Sequence, residues 1–195
     1  MDAKAKLIKA AVTVFSEKGL RGATTREIAA RAGVNPTTLF RLFRSKEKLY
    51  IAALDYGYRG ANLVGDLTKI AEQALPFEEF IAAAIKIIFE NLRRIPESHR
   101  LSLHAALEGN KQIVEWNSRT VLSKFYVIQK RLEAAIQAGE VRQVDSMLAT
   151  RLIVAVGIHY YQITELYGGW KSPDFHGRQD LSKKFADLIM SGLKP

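Results

Sequence analysis

The chain has 195 residues, of which 48% are hydrophobic and 25% charged, and it contains no cysteine. This composition is typical of a globular protein of one or two domains, and it excludes a disulfide framework and any thiolate metal or redox site. The N-terminal residues lack the apolar stretch of a signal peptide, and the longest apolar run, Leu152 to Ile158, is far too short to span a bilayer. We therefore expect a cytoplasmic protein without a membrane partner.

The positive charge is concentrated near the N-terminus. The formal net charge of the chain is +9, and residues 1–50 hold 11 Lys and Arg against 4 Asp and Glu, a net of +7. A localised positive surface attracts phosphate by releasing counterions, so it predicts binding to nucleic acid that weakens steeply with salt.

The same region contains strong signals for helix ends. A first helix is predicted to end at Gly19, with an apolar face formed by Ile8, Ala11, Val12 and Phe15. A second helix is predicted to begin at Thr25, because Thr24 can cap it and Glu27 can complete a capping box by reaching back to the Thr24 amide. Gly33 is placed where a chain leaving a helix needs a left-handed residue.

A third helix is predicted to follow almost at once. Asn35 is a strong N-cap and Pro36 is tolerated at the first helical position, while Val34 and Leu39 occupy the two positions of a hydrophobic staple. The inward stripe of this helix is predicted to be Leu39, Leu42 and Phe43. The opposite face then carries Thr37, Thr38 and Arg41.

Two helices joined by a glycine turn, with a basic outer face, predict a helix-turn-helix that enters DNA. A small helical subdomain with a solvated basic face is the plainer alternative, but the concentration of charge on the motif argues against it. The base-reading or phosphate-binding set on this face is predicted to be Arg26, Asn35, Pro36, Thr37, Thr38, Phe40 and Arg41. Thr24, Thr25 and Lys46 are expected to hold phosphates through helix N-termini and charge.

The order of apolar, capping and basic residues across Leu7 to Leu49 resembles the DNA-binding domain of the TetR family of bacterial transcriptional regulators. The resemblance includes the ending in Phe43, Ser45, Lys46, Glu47 and Leu49. Two positions depart from the common pattern: Phe40 stands where the family usually has tyrosine, and Leu42 where histidine is frequent. Phe40 cannot donate a hydroxyl hydrogen bond to a phosphate, although its ring could pack against a sugar or a thymine methyl group.

Every periodic segment beyond residue 50 is predicted to be helical, so the fold class is all-α with about nine helices. Ser45 is expected to cap a helix that starts at Lys46. Pro76 and Pro96 bracket a further helix, and a shorter one ends at Gly109.

The C-terminal part is predicted to contain three more helices. A long amphipathic helix runs from Ile113 to Gly139. Asp145 caps the next helix, which extends from Ser146 to about residue 167, and a final helix lies between residues 177 and 192.

The resemblance implies two domains, a helix-turn-helix DNA-binding domain at residues 1–48 and a helical effector-binding and dimerisation domain at residues 49–195. It also implies a homodimer in which the last two helices pair with their copies. The predicted interface residues are Leu152, Val156, Leu181, Phe185, Leu188 and Ile189. A two-fold dimer would read two half-sites of an operator, which favours the dimer over a monomer with the same core helices.

The resemblance further implies a small-molecule effector, which the sequence does not identify, inside the larger domain. Candidate pocket residues, chosen as aromatic walls and polar handles, are Phe89, His104, Leu107, Trp116, Tyr126, His159 and Ile163. Each of them could instead be a core or interface residue.

The function predicted from these features is that of a DNA-binding transcriptional regulator, a repressor released from a palindromic operator by its effector. The alternative is a non-specific architectural DNA-binding protein, which would bind every duplex with similar affinity. An enzyme is not expected. His104 and Glu108 share a helix face, but no third ligand is identifiable, so we expect neither a metal site nor a cofactor.

Overall fold

The computed structural model describes residues 2–167 and 181–194, and these residues are almost entirely helical. In chain order the α-helices are α1 (Ala3–Gly22), α2 (Thr25–Ala32), α3 (Pro36–Phe43), α4 (Lys46–Gly60), α5 (Leu63–Ala71), α6 (Phe77–Arg94), α7 (Pro96–Glu108), α8 (Lys111–Leu122), α9 (Tyr126–Gln137), α10 (Ser146–Tyr161) and α11 (Leu181–Leu193). A 3-10 turn, Ser123–Phe125, joins α8 to α9, and a π-helical turn, Gln162–Leu166, extends α10. The all-α class is confirmed.

The described residues form eleven α-helices, whereas the sequence predicts about nine helices, and two differences account for the change. The short helix α5 was not predicted, and the long helix predicted from Ile113 to Gly139 is divided into α8 and α9. The prediction that the last helix follows Gly177 lies outside the described residues.

The first compact unit extends to Ala61 and also includes Ile95–Leu122. Its centre is α1, which packs against α2, α4 and α7. The rings of Phe15 and Tyr50 lie 4.6 Å apart in its core, and the Tyr50 hydroxyl donates a hydrogen bond to the Leu101 carbonyl oxygen at 2.6 Å. Helix α1 bends at Gly19, where φ is 68°, close to its predicted end.

The second compact unit comprises Asn62–Arg94 and, among the described residues, those from Ser123 onward. Its centre is α6, which packs against α5, α9, α10 and α11. Helices α6 and α10 approach closely because α10 has glycine at position 157. A Cβ there would lie 2.9 Å from Cγ2 of Ile88 and 3.3 Å from the Ile85 carbonyl oxygen.

The division of the long predicted helix has a packing reason. Ile113 is buried in the core of the first unit, whereas Ile128 is buried in the second. The intervening 3-10 turn advances by more degrees per residue than an α-helix, so it changes the direction of the apolar face between the two segments. The predicted boundary between residues 48 and 49 divides DNA binding from effector binding and dimerisation, and it stays a prediction.

Candidate nucleic-acid interface

Helix α2 begins as predicted but with one changed contact. The Thr24 hydroxyl oxygen accepts a hydrogen bond from the Glu27 amide at 3.1 Å. The Glu27 carboxylate does not return to the Thr24 amide; it accepts a hydrogen bond from the Lys18 ammonium at 2.6 Å. The reciprocal half of the capping box was therefore wrong, because a nearby cation offers the carboxylate a stronger, charge-assisted bond than a neutral amide.

The turn between α2 and α3 has the geometry of a helix C-cap. Gly33 has φ 63° and ψ 37°, and the Val34 amide donates to the Ala29 carbonyl oxygen at 3.0 Å. A side chain would be strained at this φ, so glycine is the suitable residue here. Val34 packs against the core of the first unit and directs the chain into α3.

The N-terminus of α3 is preorganised by Asn35 and Thr37. The Asn35 Oδ1 atom accepts hydrogen bonds from the Thr37 amide at 2.9 Å and from the Thr37 hydroxyl at 2.8 Å. Pro36 occupies the first helical position, as predicted. The exposed tip thus offers the free amino group of Asn35 as a donor and the Thr37 oxygen as an acceptor.

The exposed face of α3 has a polar centre and apolar flanks. Leu39 and Phe43 are buried, as predicted, but Leu42 is 37% exposed. Leu42 was therefore wrongly assigned to the inward stripe; at about 100° per residue it lies at the edge of that stripe, beyond the cover of the neighbouring helices. Phe40, on the other flank, is 50% exposed. Arg41 lies between them and is also exposed.

The arginines of this region fall into two groups. Arg31 is paired with Glu17 at 3.4 Å, just as Lys18 is paired with Glu27. Arg26, Arg41 and Arg44 are exposed, and within residues 2–167 and 181–194 their guanidinium groups have no acidic partner. Their charges are free to meet phosphate or base edges.

Lys46 lies at the start of α4 and has a structural contact that the sequence did not indicate. It is half-buried, and its ammonium donates to the Ala23 carbonyl oxygen at 3.1 Å. Ser45 caps α4 as predicted, accepting from the Lys48 amide at 3.2 Å. Because Ala23 immediately precedes the cap of α2, this bond holds the N-termini of α2 and α4 near each other, and both are favourable places for a phosphate.

Arg44 is a candidate that sequence reasoning missed. It lies in the single residue step between α3 and the Ser45 cap, with φ 63° and ψ −34°. The Ser45 amide donates to the Phe43 carbonyl oxygen at 2.7 Å, so Arg44 is the central residue of a γ-turn. The sequence signal that could have identified Arg44 is a basic residue directly between two predicted helices.

The sequence model described as bacterial regulatory proteins, tetR family, matches residues 7–53, which contain the whole helix-turn-helix. The chain belongs to the TetR family. It is a DNA-binding transcriptional regulator.

Full-length similarities agree with the family. The HTH-type transcriptional repressor NicS of Pseudomonas putida is 29% identical over 197 residues, which cover 96% of this chain and 91% of NicS. A regulatory protein in the tetR family from Rhodococcus RHA1 shares the fold with a TM-score of 0.76 at 19% identity, over 100% of this chain and 98% of that one. FadR from Bacillus subtilis, solved in complex with stearoyl-CoA, has a TM-score of 0.72 at 21% identity, over 96% of this chain and 98% of FadR. These comparisons give no support to the architectural alternative.

The predicted effector-pocket residues of this TetR-family chain are divided between its two units. His104, Leu107 and Trp116 belong to the first, and Phe89, Tyr126, His159 and Ile163 to the second.

Two of these residues have largely exposed side chains. Leu107 is 86% exposed and Tyr126 is 54% exposed, because each lies on the helix face opposite a buried neighbour, Ala105 and Ile128 respectively. His159 is exposed as well.

The other predicted pocket residues have different surroundings. Trp116 packs against the core of the first unit, and His104 is half-buried on α7. Ile163 is half-buried in the π-helical turn. Phe89 lines a cavity between α6, α10 and α11.

The predicted dimer residues are largely brought together. An apolar groove of about 540 Å³ lies between α10 and α11. Five predicted interface residues line it: Leu152, Val156, Phe185, Leu188 and Ile189. Leu181 lies in the neighbouring cavity instead, and the groove also includes the exposed Leu148, which was not predicted.

Neither a three-ligand metal site nor a membrane-spanning helix occurs in the described part of the TetR-family chain. No group of three His, Asp or Glu side chains there could hold a metal ion; His176 lies outside the described residues. No described helix has the length and hydropathy that a membrane crossing requires.

Proposed function

We propose that this chain represses transcription as a homodimer that occupies a palindromic operator and leaves it when a small-molecule effector binds. The observation that carries the proposal is the exposed face of α3, a capped helix tip in a segment where Arg26, Arg41 and Arg44 are exposed and have no acidic partner among the described residues. The similarity to the NicS repressor, which extends over 96% of this chain, supports repression.

The base-reading role is assigned to the tip and centre of α3. The amino group of Asn35 would donate to a base acceptor, because its Oδ1 atom is already engaged by Thr37. The Thr37 oxygen would accept from adenine N6 or cytosine N4, and the Arg41 guanidinium matches the two acceptors of guanine. Phe40 and Leu42 would contact thymine methyl groups or sugars at the groove edges.

Phosphate binding is assigned to the two helix N-termini that the Lys46–Ala23 bond holds near each other. Thr24 and Thr25 would place a phosphate at α2, and the start of α4 would hold a second. Arg26 and Arg44 would add charge beside them. We expect these contacts to set the register of α3 and to give most of the salt dependence.

The dimer is assigned to the groove between α10 and α11. Leu188 is 69% exposed, and the apolar side chains around it form one continuous surface rather than scattered exposed residues. A surface of this kind marks an interface with another protein. A second copy of the chain would cover it and would set the separation of two recognition helices on a two-fold operator.

An effector is assigned to residues 49–195. FadR, which shares the fold, was solved in complex with stearoyl-CoA, and this supports the binding of a small molecule by a protein of this fold. The effector would release DNA only if it binds the DNA-incompetent state more tightly, since equal affinity for both states shifts no equilibrium.

The proposal is tested by fluorescence anisotropy with duplexes that tile the DNA upstream of the gene for this chain, and with duplexes selected from a random pool. The wild type is compared with Arg41→Ala and with Arg31→Ala, whose arginine is already paired with Glu17. We expect Arg41→Ala to weaken operator binding by about tenfold or more and Arg31→Ala to leave it nearly unchanged.

Equal and weak binding to every duplex would contradict the proposal and support an architectural role instead. Retention of wild-type operator affinity in Arg41→Ala would show that α3 is not the reading helix. A scrambled duplex and a salt series provide the controls.

A further inference from the structure

A cavity of about 240 Å³ lies between α6, α10 and α11 in the second unit. Three aromatic side chains form much of its wall. The ring centroids of Phe89 and Tyr160 are 5.0 Å apart, and those of Tyr160 and Phe185 are 6.0 Å apart. The volume equals that of roughly eight liquid water molecules, so the cavity suits a small organic body that can stack against rings.

One face of α6 adds charge to the mouth of this cavity. Lys86 and Arg93 are seven residues apart, which places them on the same helix face as Phe89. Both are exposed, and among the described residues Lys86 has no carboxylate partner. Glu90 is the acidic residue of the lining.

Arg93 is oriented by two contacts that leave part of its guanidinium group for a ligand. Its Nε atom lies 3.5 Å from the Glu165 carboxylate, and its guanidinium lies over the Phe89 ring, 5.8 Å from the centroid. The two terminal amino groups of the guanidinium are not engaged by Glu165 in this ion pair, so they could bind an anion through a fork of two hydrogen bonds.

Glu165 is carried by the π-helical turn Gln162–Leu166. Turns of this kind are rare and occur often at functional sites. Burial, and then the Glu165 charge, raise the pKa of Tyr160, so its hydroxyl stays protonated near neutral pH. The turn therefore orients Arg93 beside a neutral aromatic wall.

We propose that this cavity binds a small organic carboxylate, with the charge between Lys86 and Arg93 and an aromatic or short apolar body against Phe89, Tyr160 and Phe185. An organic cation would meet two positive groups and a single acidic group, Glu90, that has no ion pair among the described residues. A fully apolar ligand would leave the charged mouth without a partner.

The position of Phe185 connects this site to the groove between α10 and α11, because its side chain lines both. A ligand that shifts Phe185 changes the surface on which the second copy would sit. This link to operator release rests on the proposed function, whereas binding in the cavity does not.

The binding is tested by isothermal titration calorimetry of the full chain without DNA. The probes are benzoate, 2-naphthoate and octanoate, each with the corresponding uncharged alcohol. We expect at least one acid to bind at least tenfold more tightly than its alcohol. Lys86→Gln and Arg93→Gln should each weaken that acid about tenfold and leave the alcohol unchanged.

Two further variants serve as controls. Lys183→Gln changes a cation on the adjacent surface cleft and should leave acid binding unchanged. Arg93→Lys retains a charge and should recover part of the loss if the protein is folded. Equal binding of acid and alcohol, or no binding of any probe, would overturn the proposal.

The link to DNA has its own readout. Operator affinity is measured with and without the bound acid. Acid binding that leaves operator affinity unchanged would refute the link and retain the site. A chain that binds no operator would refute the proposed function. The calorimetric titration would still show whether the cavity binds a carboxylate.

Discussion

Arg44 combines a costly backbone conformation with a side chain available for DNA. Its φ of 63° would suit glycine, which avoids the penalty of a Cβ atom in this region. A γ-turn with positive φ is rare and strained. Strain of this kind is found often at functional sites. We infer that the arginine contributes its charge to phosphate binding.

Substitution Arg44→Gly should separate stability from DNA binding. We expect the free energy of unfolding to rise by about 1 kcal/mol, because the strain is removed. Operator affinity should fall, and the slope of log affinity against log salt should decrease by about one. Urea unfolding and anisotropy titrations measure the two effects. Arg44→Lys should retain the salt slope, and a glycine variant with wild-type affinity would refute the role.

His99 is the residue that most directly connects stability to pH. It is buried in the first unit, and burial lowers the pKa of its imidazole from 6.5 to about 4. The folded chain therefore keeps His99 neutral where the unfolded chain takes up a proton. The contribution of His99 to the free energy of unfolding is fully present above pH 6.5. It falls as the pH decreases towards 4, by up to ~1.4 kcal/mol per pH unit.

The variant His99→Gln should remove this contribution. We expect its free energy of unfolding to depend less on pH than that of the wild type between pH 6.5 and 4. Urea unfolding at several pH values gives the comparison, in which carboxyl groups titrate equally in both proteins. Parallel pH profiles would show that His99 is not the group responsible.

At the scale of elements, the ends of the helices around the DNA-binding face follow from local sequence. Asn35, Ser45 and Asp145 each cap the helix for which they were predicted. Caps depend on bonds between residues two or three positions apart, so a short window of sequence contains the necessary information. Helix α5 lacks such a bond, because its N-cap, Asn62, makes no side-chain cap hydrogen bond.

The close approach of α6 and α10 predicts a large effect of a small substitution. Gly157→Ala would place a methyl group 2.9 Å from Ile88 Cγ2, so the Ile88 side chain or one of the two helices must shift. We expect a loss of about 1–3 kcal/mol of stability, measured by thermal or urea unfolding. Gly60→Ala is the control, since a Cβ there meets no atom within 4 Å. If Gly157→Ala and Gly60→Ala are equally stable, the contact with Ile88 relaxes without a loss of stability.

At the scale of the whole molecule, the proposed dimer depends on the groove between α10 and α11. Leu188→Asp should produce monomers, because it places a charge in the centre of the buried surface. Leu107→Asp is a matched control, since Leu107 is even more exposed but lies outside the groove. Sedimentation velocity measures the mass. A Leu188→Asp protein that remains dimeric would place the interface elsewhere.

Operator binding should follow the oligomeric state. A monomer carries a single recognition helix, so Leu188→Asp should lose most of its affinity for a palindrome while keeping its fold. Circular dichroism checks the fold and anisotropy checks the affinity. If a monomeric variant keeps wild-type affinity for the operator, the proposal that a two-fold dimer binds the palindrome is contradicted.

The amino-acid sequence by itself determined the helix-turn-helix, its N-cap residues, most of the exposed set on α3 and the all-α class. These features depend on periodicity, on residues within a turn of each other and on charge composition, which are visible without a fold.

Only the tertiary structure decided the partners of charged side chains and the grouping of distant residues. Glu27 bonds Lys18, and Lys46 bonds Ala23, because packing brings separate segments together. The predicted pocket residues were divided between two units for the same reason, whereas most of the interface residues met along α10 and α11. Which side chains become neighbours depends on long-range packing, and sequence periodicity contains no information about that choice.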